Sequence, residues 1–201
     1  MGGNYCYEYE YDSCYCYPNS YVLKNKLNIE NTKELVKAER EITSIRTAQA
    51  LSNRIKGNFD FKHLKKIHRF LFGDIYEWAG KIRTVNISKG NQFCRCEFIQ
   101  DQMDILFDKL REEDYLKKCT SKEEIAQKLA YYLGEINAIH PFREGNGRCQ
   151  RMFIEHLCYS AGYRLDFIKI TGKEMLEASV KAFDLEYDMM EQLIFKSLSK
   201  E

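Results

Sequence analysis

The sequence predicts an all-α fold: a bundle of about six to eight helices with one small β-hairpin. Three observations carry that prediction. Apolar residues recur at helical spacing through most of the chain. Residues suited to helix N-caps (Asn31, Asp60, Ser121 and Thr171) stand ahead of those segments. Beyond the first residues, strand-like character is confined to one stretch, about 82–98.

Residues 1–17 form a Tyr/Cys-rich arm. Tyr5, Tyr7, Tyr9, Tyr11, Tyr15 and Tyr17 alternate with Glu, Asp, Ser and Cys, which suits either an extended strand or a partly ordered tail. Pro18-Asn-Ser ends the arm, and residues 18–201 read as one domain. Asn31, with Glu34 three residues on, caps a helix from Thr32 to about Ala50, whose apolar stripe is Leu35, Ala38, Ile42, Ile45 and Ala48. Gly57-Asn58 breaks the chain. Asp60 then caps a helix carrying Leu64, Ile67, His68, Leu71 and Phe72. His63 and His68 are five apart, not the four that would set both on one metal-facing stripe. His68 reads as a packed helix residue; His63, like His156 further on, reads as a surface one.

After Trp78-Ala-Gly80 the character changes. Ile82, Thr84 and residues 85–87 are strand-like, Ser88-Lys-Gly-Asn91 is turn-like, and Phe93 and Phe98 flank the returning arm. Ser121-Lys-Glu-Glu124 is a capping-box pattern, followed at helical spacing by Ile125, Leu129, Tyr132, Leu133, Ile136 and Ile139. Pro141 ends that helix near Ile139. Another helix runs through Met152, Phe153, Ile154 and Leu157 to Ala161-Gly162. Thr171 caps the next, with Met175, Leu176, Ala178 and Phe183, and a last one spans about Leu185 to Leu198.

Composition narrows the function classes. The 201 residues carry a formal net charge of +1, so no global field draws the chain to nucleic acid or an anionic membrane. No apolar run approaches the ~20 residues needed to span a bilayer, and the N-terminus lacks signal-peptide character. A cytoplasmic protein is the expectation; injection into another cell would leave no mark here. The eight cysteines are expected as reduced thiols. The pairs Cys14/Cys16 and Cys94/Cys96 could form a four-thiolate zinc site only against the usual spacing.

The densest chemistry lies in residues 140–151, His-Pro-Phe-Arg-Glu-Gly-Asn-Gly-Arg-Cys-Gln-Arg. His140 sits at a helix exit, with an ordinary pKa near ~6.5 suited to accepting a proton at neutral pH. Gly145, Asn146 and Gly147 tolerate left-handed dihedrals that converge backbone N–H groups. The helix that starts there offers free N–H groups and a positive dipole end to an anion. Arg148 and Arg151 share a face of its first turn, where a bound phosphate would offset their clash with the dipole. Glu144 can hold Mg2+ if nucleotide phosphates supply further oxygens. The set suits attack by a hydroxyl on phosphorus.

At these residues the sequence resembles the Fic family, whose motif His-x-Phe-x-(Asp/Glu)-Gly-Asn-Gly-Arg-x-x-Arg is matched at every fixed position. Tyr17-Pro-Asn-Ser-x-Val-Leu-Lys-Asn-Lys26 and Gly57-Asn-Phe-Asp60 also look like stretches ahead of the motif in Fic domains of bacterial toxins and effectors. The resemblance spans roughly residues 15–198. It implies the Fic fold and a protein adenylyltransferase that moves AMP from ATP to a Ser, Thr or Tyr hydroxyl of a target protein, using Mg2+. By the same carry-over His140 is the base, Phe142 anchors the loop and Glu144 ligates Mg2+. Gly145, Asn146 and Gly147 hold the α- and β-phosphates, and Arg148 and Arg151 bind the outer ones. The hairpin becomes a flap that docks the target by strand pairing, with Ile87, Ser88, Lys89 and Gly90 as its candidates and Lys89 reaching phosphate. The related Doc branch has Lys after Asn-x and transfers phosphate; Gly147 and Arg148 here favour AMP. Transfer of UMP or phosphate, or an idle binding module, are the other readings.

Many Fic enzymes are restrained by a helix of pattern (Ser/Thr)-x-x-x-Glu-(Gly/Asn), whose Glu pairs with a motif arginine, taken here as Arg148. Ser52–Gly57 has the spacing but Lys56 in place of Glu, and Ser197–Glu201 stops short of the last position. The expectation is therefore a toxin-like enzyme whose Arg148 receives its Glu from a separate small antitoxin.

Overall fold

The computed structural model describes residues 12–200. Its elements run α1 (Thr32–Ser52), α2 (Phe61–Phe72), β1 (Ser88–Lys89), β2 (Asn91–Gln92), α3 (Ile99–Glu112), α4 (Lys122–Ile139), α5 (Asn146–Ser160), β3 (Tyr163–Leu165), α6 (Gly172–Phe183), α7 (Asp188–Ser197) and β4 (Leu198–Lys200), with three short 3-10 turns. The fold is all-α with small antiparallel ribbons. None of its described helices is long and apolar enough to cross a membrane.

The polar caps act where the sequence indicated. Asn31 accepts from Lys33 and Glu34 N–H, Asp60 from His63, Ser121 from Glu124, and Thr171 closes a full capping box with Glu174. At Ser121 the box is half made, because Glu124 reaches back to the Thr120 N–H instead.

α4 is the central helix. It packs on α3, α5, α6 and α7, and its turns from Ile125 to Ile136 are buried. Gly134 allows a close approach: a Cβ there would lie 2.7 Å from Tyr187 and 3.1 Å from the Ala182 methyl. Tyr187 adds a hydroxyl hydrogen bond to Glu135. α5 lies against both α4 and α2, so the loop between α4 and α5 is held from two sides.

Several expectations need correcting. α3 adds a helix to those expected, with Ile99, Met103, Leu106, Phe107 and Leu110 as its buried stripe. In α1 the buried residues are Leu35, Thr43 and Ala50, while Ile45 is 61% exposed, because the inward face carries polar groups serving the site. The hairpin is shorter and shifted: Ser88 pairs with Gln92 and Lys89 with Asn91 around Gly90, and residues 82–87 form no strand. The last helix ends at Ser197, and Leu198–Lys200 pair with β3. His63 and His156 are buried, both 3% exposed, His63 packing edge-on to Phe59 and Phe153. The alternating tyrosines up to Tyr11 and the terminal Glu201 lie outside the described residues. Tyr15 and Cys16, by contrast, join the core. Among the described residues no cluster of three or more His, Cys, Asp or Glu could hold a metal ion, so the two Cys-x-Cys pairs do not converge.

Candidate active site

Pro141 stops α4 as expected, and His140 becomes its C-cap in a left-handed conformation (φ 52, ψ 63), with its N–H still bonded to Ile136 O. Its Nδ1 lies 3.0 Å from Asn137 O, an acceptor, so Nδ1 carries the hydrogen and Nε2 keeps a lone pair. The ring stacks on Phe93 at 3.8 Å and is 6% exposed. Burial pushes its pKa down to about 3; the Asn137 carbonyl opposes that shift, and the Arg83 and Lys89 charges add to it. His140 is thus neutral at pH 7.

Three side chains fix the backbone around it. Arg83 is buried and spreads its guanidinium over main-chain carbonyls: Nε to His140 (2.9 Å), Nη1 to Val85 (2.7 Å), and Nη2 to Ile139 (3.3 Å) and Cys94. A cation at these carbonyls also complements the C-terminal dipole of α4. His68 accepts the Gly80 N–H at Nδ1 (2.8 Å) and donates from Nε2 to Glu144 O (2.9 Å), stacked on Phe142 at 3.9 Å. Phe142 is 1% exposed, the anchor expected of it. Asn146 accepts from Phe142 N–H (2.9 Å) and donates to Phe142 O (2.7 Å). Its side chain is therefore committed to the loop, leaving only its backbone for a phosphate.

Gly145 caps α5 at φ +80, where a Cβ would sit 2.3 Å from Phe72, and its N–H bonds Glu144 Oε1 at 2.8 Å. A Cβ on Gly147 would lie 3.2 Å from Arg151 Nη1. The glycines thus keep the start of α5 free of side chains. Arg148 already has two partners on α1 within this chain. Its Nη2 meets Glu39 Oε1 of α1 at 2.5 Å, and its Nη1 donates to Thr43 Oγ1 at 3.1 Å. Glu144 Oε1 stands 3.8 Å from the same Nη2. Burial, then the Glu39 charge, raises the Glu144 pKa, against the Gly145 N–H and Arg148. Arg151 has no carboxylate within ion-pair distance among the described residues; burial and the neighbouring Arg148 lower its pKa.

These groups line one cleft of about 540 Å³. His140, Glu144, Gly145, Gly147, Arg148 and Arg151 form its polar wall, and Lys89 with Asn91 and Phe93 its flap side. Ile87, Ser88 and Gly90 do not line it; Ile87 is buried and Gly90 turns in open space at φ +78. The far wall is apolar, from Phe167, Ile170, Met175, Leu176, Val180 and Phe183. The arrangement can hold a polyphosphate between α5 and Lys89, with a neutral base beside it. Glu144 fits a magnesium ligand: a hard oxygen donor on the cleft wall, whose raised pKa a cation would offset.

Comparison with known proteins agrees. The protein of Sinorhizobium fredii named probable protein adenylyltransferase y4lH is 43% identical over 84% of this chain and 86% of its own length. Protein adenylyltransferase VbhT of Bartonella schoenbuchensis is 39% identical over 92% of this chain, which spans 39% of that longer protein. Among solved structures, the N-terminal Fic domain of a VirB-translocated Bep effector of Bartonella quintana with bound ADP superposes with a TM-score of 0.87 at 31% identity, covering 93% of this chain and 95% of that one. With residues 58–158 matching the family's own sequence pattern and a 43% identical relative covered over most of its length, the chain belongs to the Fic/DOC family.

Proposed function

We infer that this chain is a protein adenylyltransferase that moves AMP from ATP to a Ser, Thr or Tyr hydroxyl of a target protein. The carrying observation is the neutral His140, whose Nδ1 is turned to the Asn137 carbonyl, in one cleft with Gly145, Gly147, Arg148 and Arg151. Nε2 takes the proton of the target hydroxyl as its oxygen attacks the α-phosphorus; the bond to the bridging oxygen breaks and pyrophosphate leaves. The N–H groups at the start of α5 hold the α- and β-phosphates, and Arg148, Arg151 and Lys89 hold the outer charge. Glu144 would ligate Mg2+, which supplies charge neutralisation on the phosphate oxygens. A base with so low a pKa is weak, and the charge of bound phosphates beside it raises its basicity.

The flap, residues 87–90, holds the target as an added strand. Relatives named protein adenylyltransferase, and a fold neighbour solved with ADP, support the reaction class and ATP as donor. A separate small antitoxin would supply its Glu to this arginine pair, of which Arg148 already meets Glu39 and Arg151 has no carboxylate within ion-pair distance among the described residues. The test is transfer of label from ATP to protein in a cell lysate. Label at the α-phosphate should reach a protein band and fall at least ~100-fold in His140→Ala. Transfer from the γ-position alone would make the enzyme a kinase instead, and no transfer from either would leave a binding module.

A further inference from the structure

α1 lies wholly before residues 58–158, the part that the family's own pattern matches, yet it touches Arg148, one of the residues lining the cleft. Glu39 and Thr43 lie four apart and so share one helix face. That face points at the motif: Glu39 is paired to Arg148 Nη2 at 2.5 Å, and Thr43 Oγ1 accepts from Nη1 at 3.1 Å. Both α1 groups are themselves held. Tyr76, which is buried, donates its hydroxyl to the other oxygen of Glu39 at 2.5 Å, and the Thr43 hydroxyl donates to Glu39 O at 2.7 Å. The Arg148 guanidinium also lies over the Phe72 ring, 4.7 Å from its centroid. An arginine has five donors in a rigid fork. Two are used on α1, and Arg148 also lines the cleft.

We propose that Glu39 is a positioning residue: with Thr43 and Tyr76 it clamps the back of Arg148 so that the guanidinium's remaining donors face the nucleotide phosphates. The proposal rests on the phosphate role given above to Arg148. Two effects compete at Glu39. Its charge repels the phosphates, but Arg148 stands against it and cancels most of that field. Its hydrogen bond removes the rotational freedom that an unclamped arginine would lose on binding, a freedom worth on the order of tenfold in affinity. Ordering therefore outweighs repulsion.

The experiment compares binding of ATP and of adenosine, which lacks phosphates, by calorimetry. Glu39→Ala should weaken ATP about tenfold and leave adenosine unchanged. Glu39→Gln, which keeps an acceptor for Arg148 without the charge, should stay within about threefold of the parent and guards against misfolding of the Ala variant. In the Glu39→Ala/Arg148→Ala double variant the ATP loss should not exceed that of Arg148→Ala alone, because both remove one contact. Tighter ATP binding in both Glu39 variants would make Glu39 a competitor and overturn the proposal, as would equal losses for ATP and adenosine or full additivity. If Arg148→Ala itself weakens ATP and adenosine alike, it is the phosphate role of Arg148 that fails. If it discriminates and Glu39→Ala does not, only the clamp fails.

Discussion

Gly145 and Gly90 share nearly the same backbone, φ +80 and +78, but not the same surroundings. A Cβ on Gly145 would overlap Phe72 at 2.3 Å, whereas nothing lies within 4 Å of one on Gly90. The pair separates backbone strain from packing. Gly90→Ala should cost about 1 kcal/mol, the strain alone. Gly145→Ala should cost about 2–4 kcal/mol, because Phe72 or the loop must also move, and it should abolish ATP binding. Urea unfolding with calorimetric ATP titration reads both; equal costs would show that Phe72 yields freely. In the sequence the two positions look alike. What distinguishes Gly145 is an aromatic ring from α2, far away along the chain.

At the scale of elements, Gly134 sets how closely α4 approaches α6 and the start of α7. Gly134→Val should destabilise by about 1–3 kcal/mol or more by pushing against Tyr187 and Ala182, seen as a lower melting temperature. An unchanged melting temperature would mean that α7 docks loosely. The helices read most clearly from sequence are those begun by a polar cap: Asn31, Asp60, Ser121 and Thr171 each announce one. α3 escaped because Phe98, its N-cap, makes no side-chain cap bond and the chain enters through a 3-10 turn; only the spacing of Ile99, Met103, Leu106 and Phe107 could have revealed it. The α1 stripe misread Ile45 as core because its true inward face carries Glu39 and Thr43, which no apolar periodicity marks. β3 and β4 join distant residues, and local pattern does not encode such pairing. The site divides the same way. Residues 140–151 are contiguous and were legible, whereas Glu39, Arg83 and the apolar wall from α6 arrive by tertiary packing.

Across the whole molecule, all four histidines, His63, His68, His140 and His156, are buried and hold their protons less tightly than an exposed imidazole. Burial is the leading cause in each, and His68 and His156 fall to about 4. Below the unfolded value of ~6.5 the unfolded chain binds protons that the folded chain refuses. Stability is therefore full above that pH and falls as the pH drops towards about 4, by up to about 1.4 kcal/mol per pH unit for each histidine. Glu144 and Glu155, both held above the ordinary carboxylate range, act in the opposite sense and recover part of it. The urea midpoint should be clearly lower at pH 5 than at pH 7 at constant ionic strength; equal midpoints would contradict the buried-neutral assignment.

Arg143, within the motif loop, is 0% exposed on its side chain and is ion-paired at 3.0 Å to Asp12, 4% exposed, while Asp12 also accepts the N–H groups of Cys14 and Tyr15. The stretch that composition groups with a dispensable-looking tail is thus a cornerstone of the loop that carries His140. A fragment trimmed back to Pro18 would lose the carboxylate paired to this buried guanidinium, and should unfold at lower urea than the full chain.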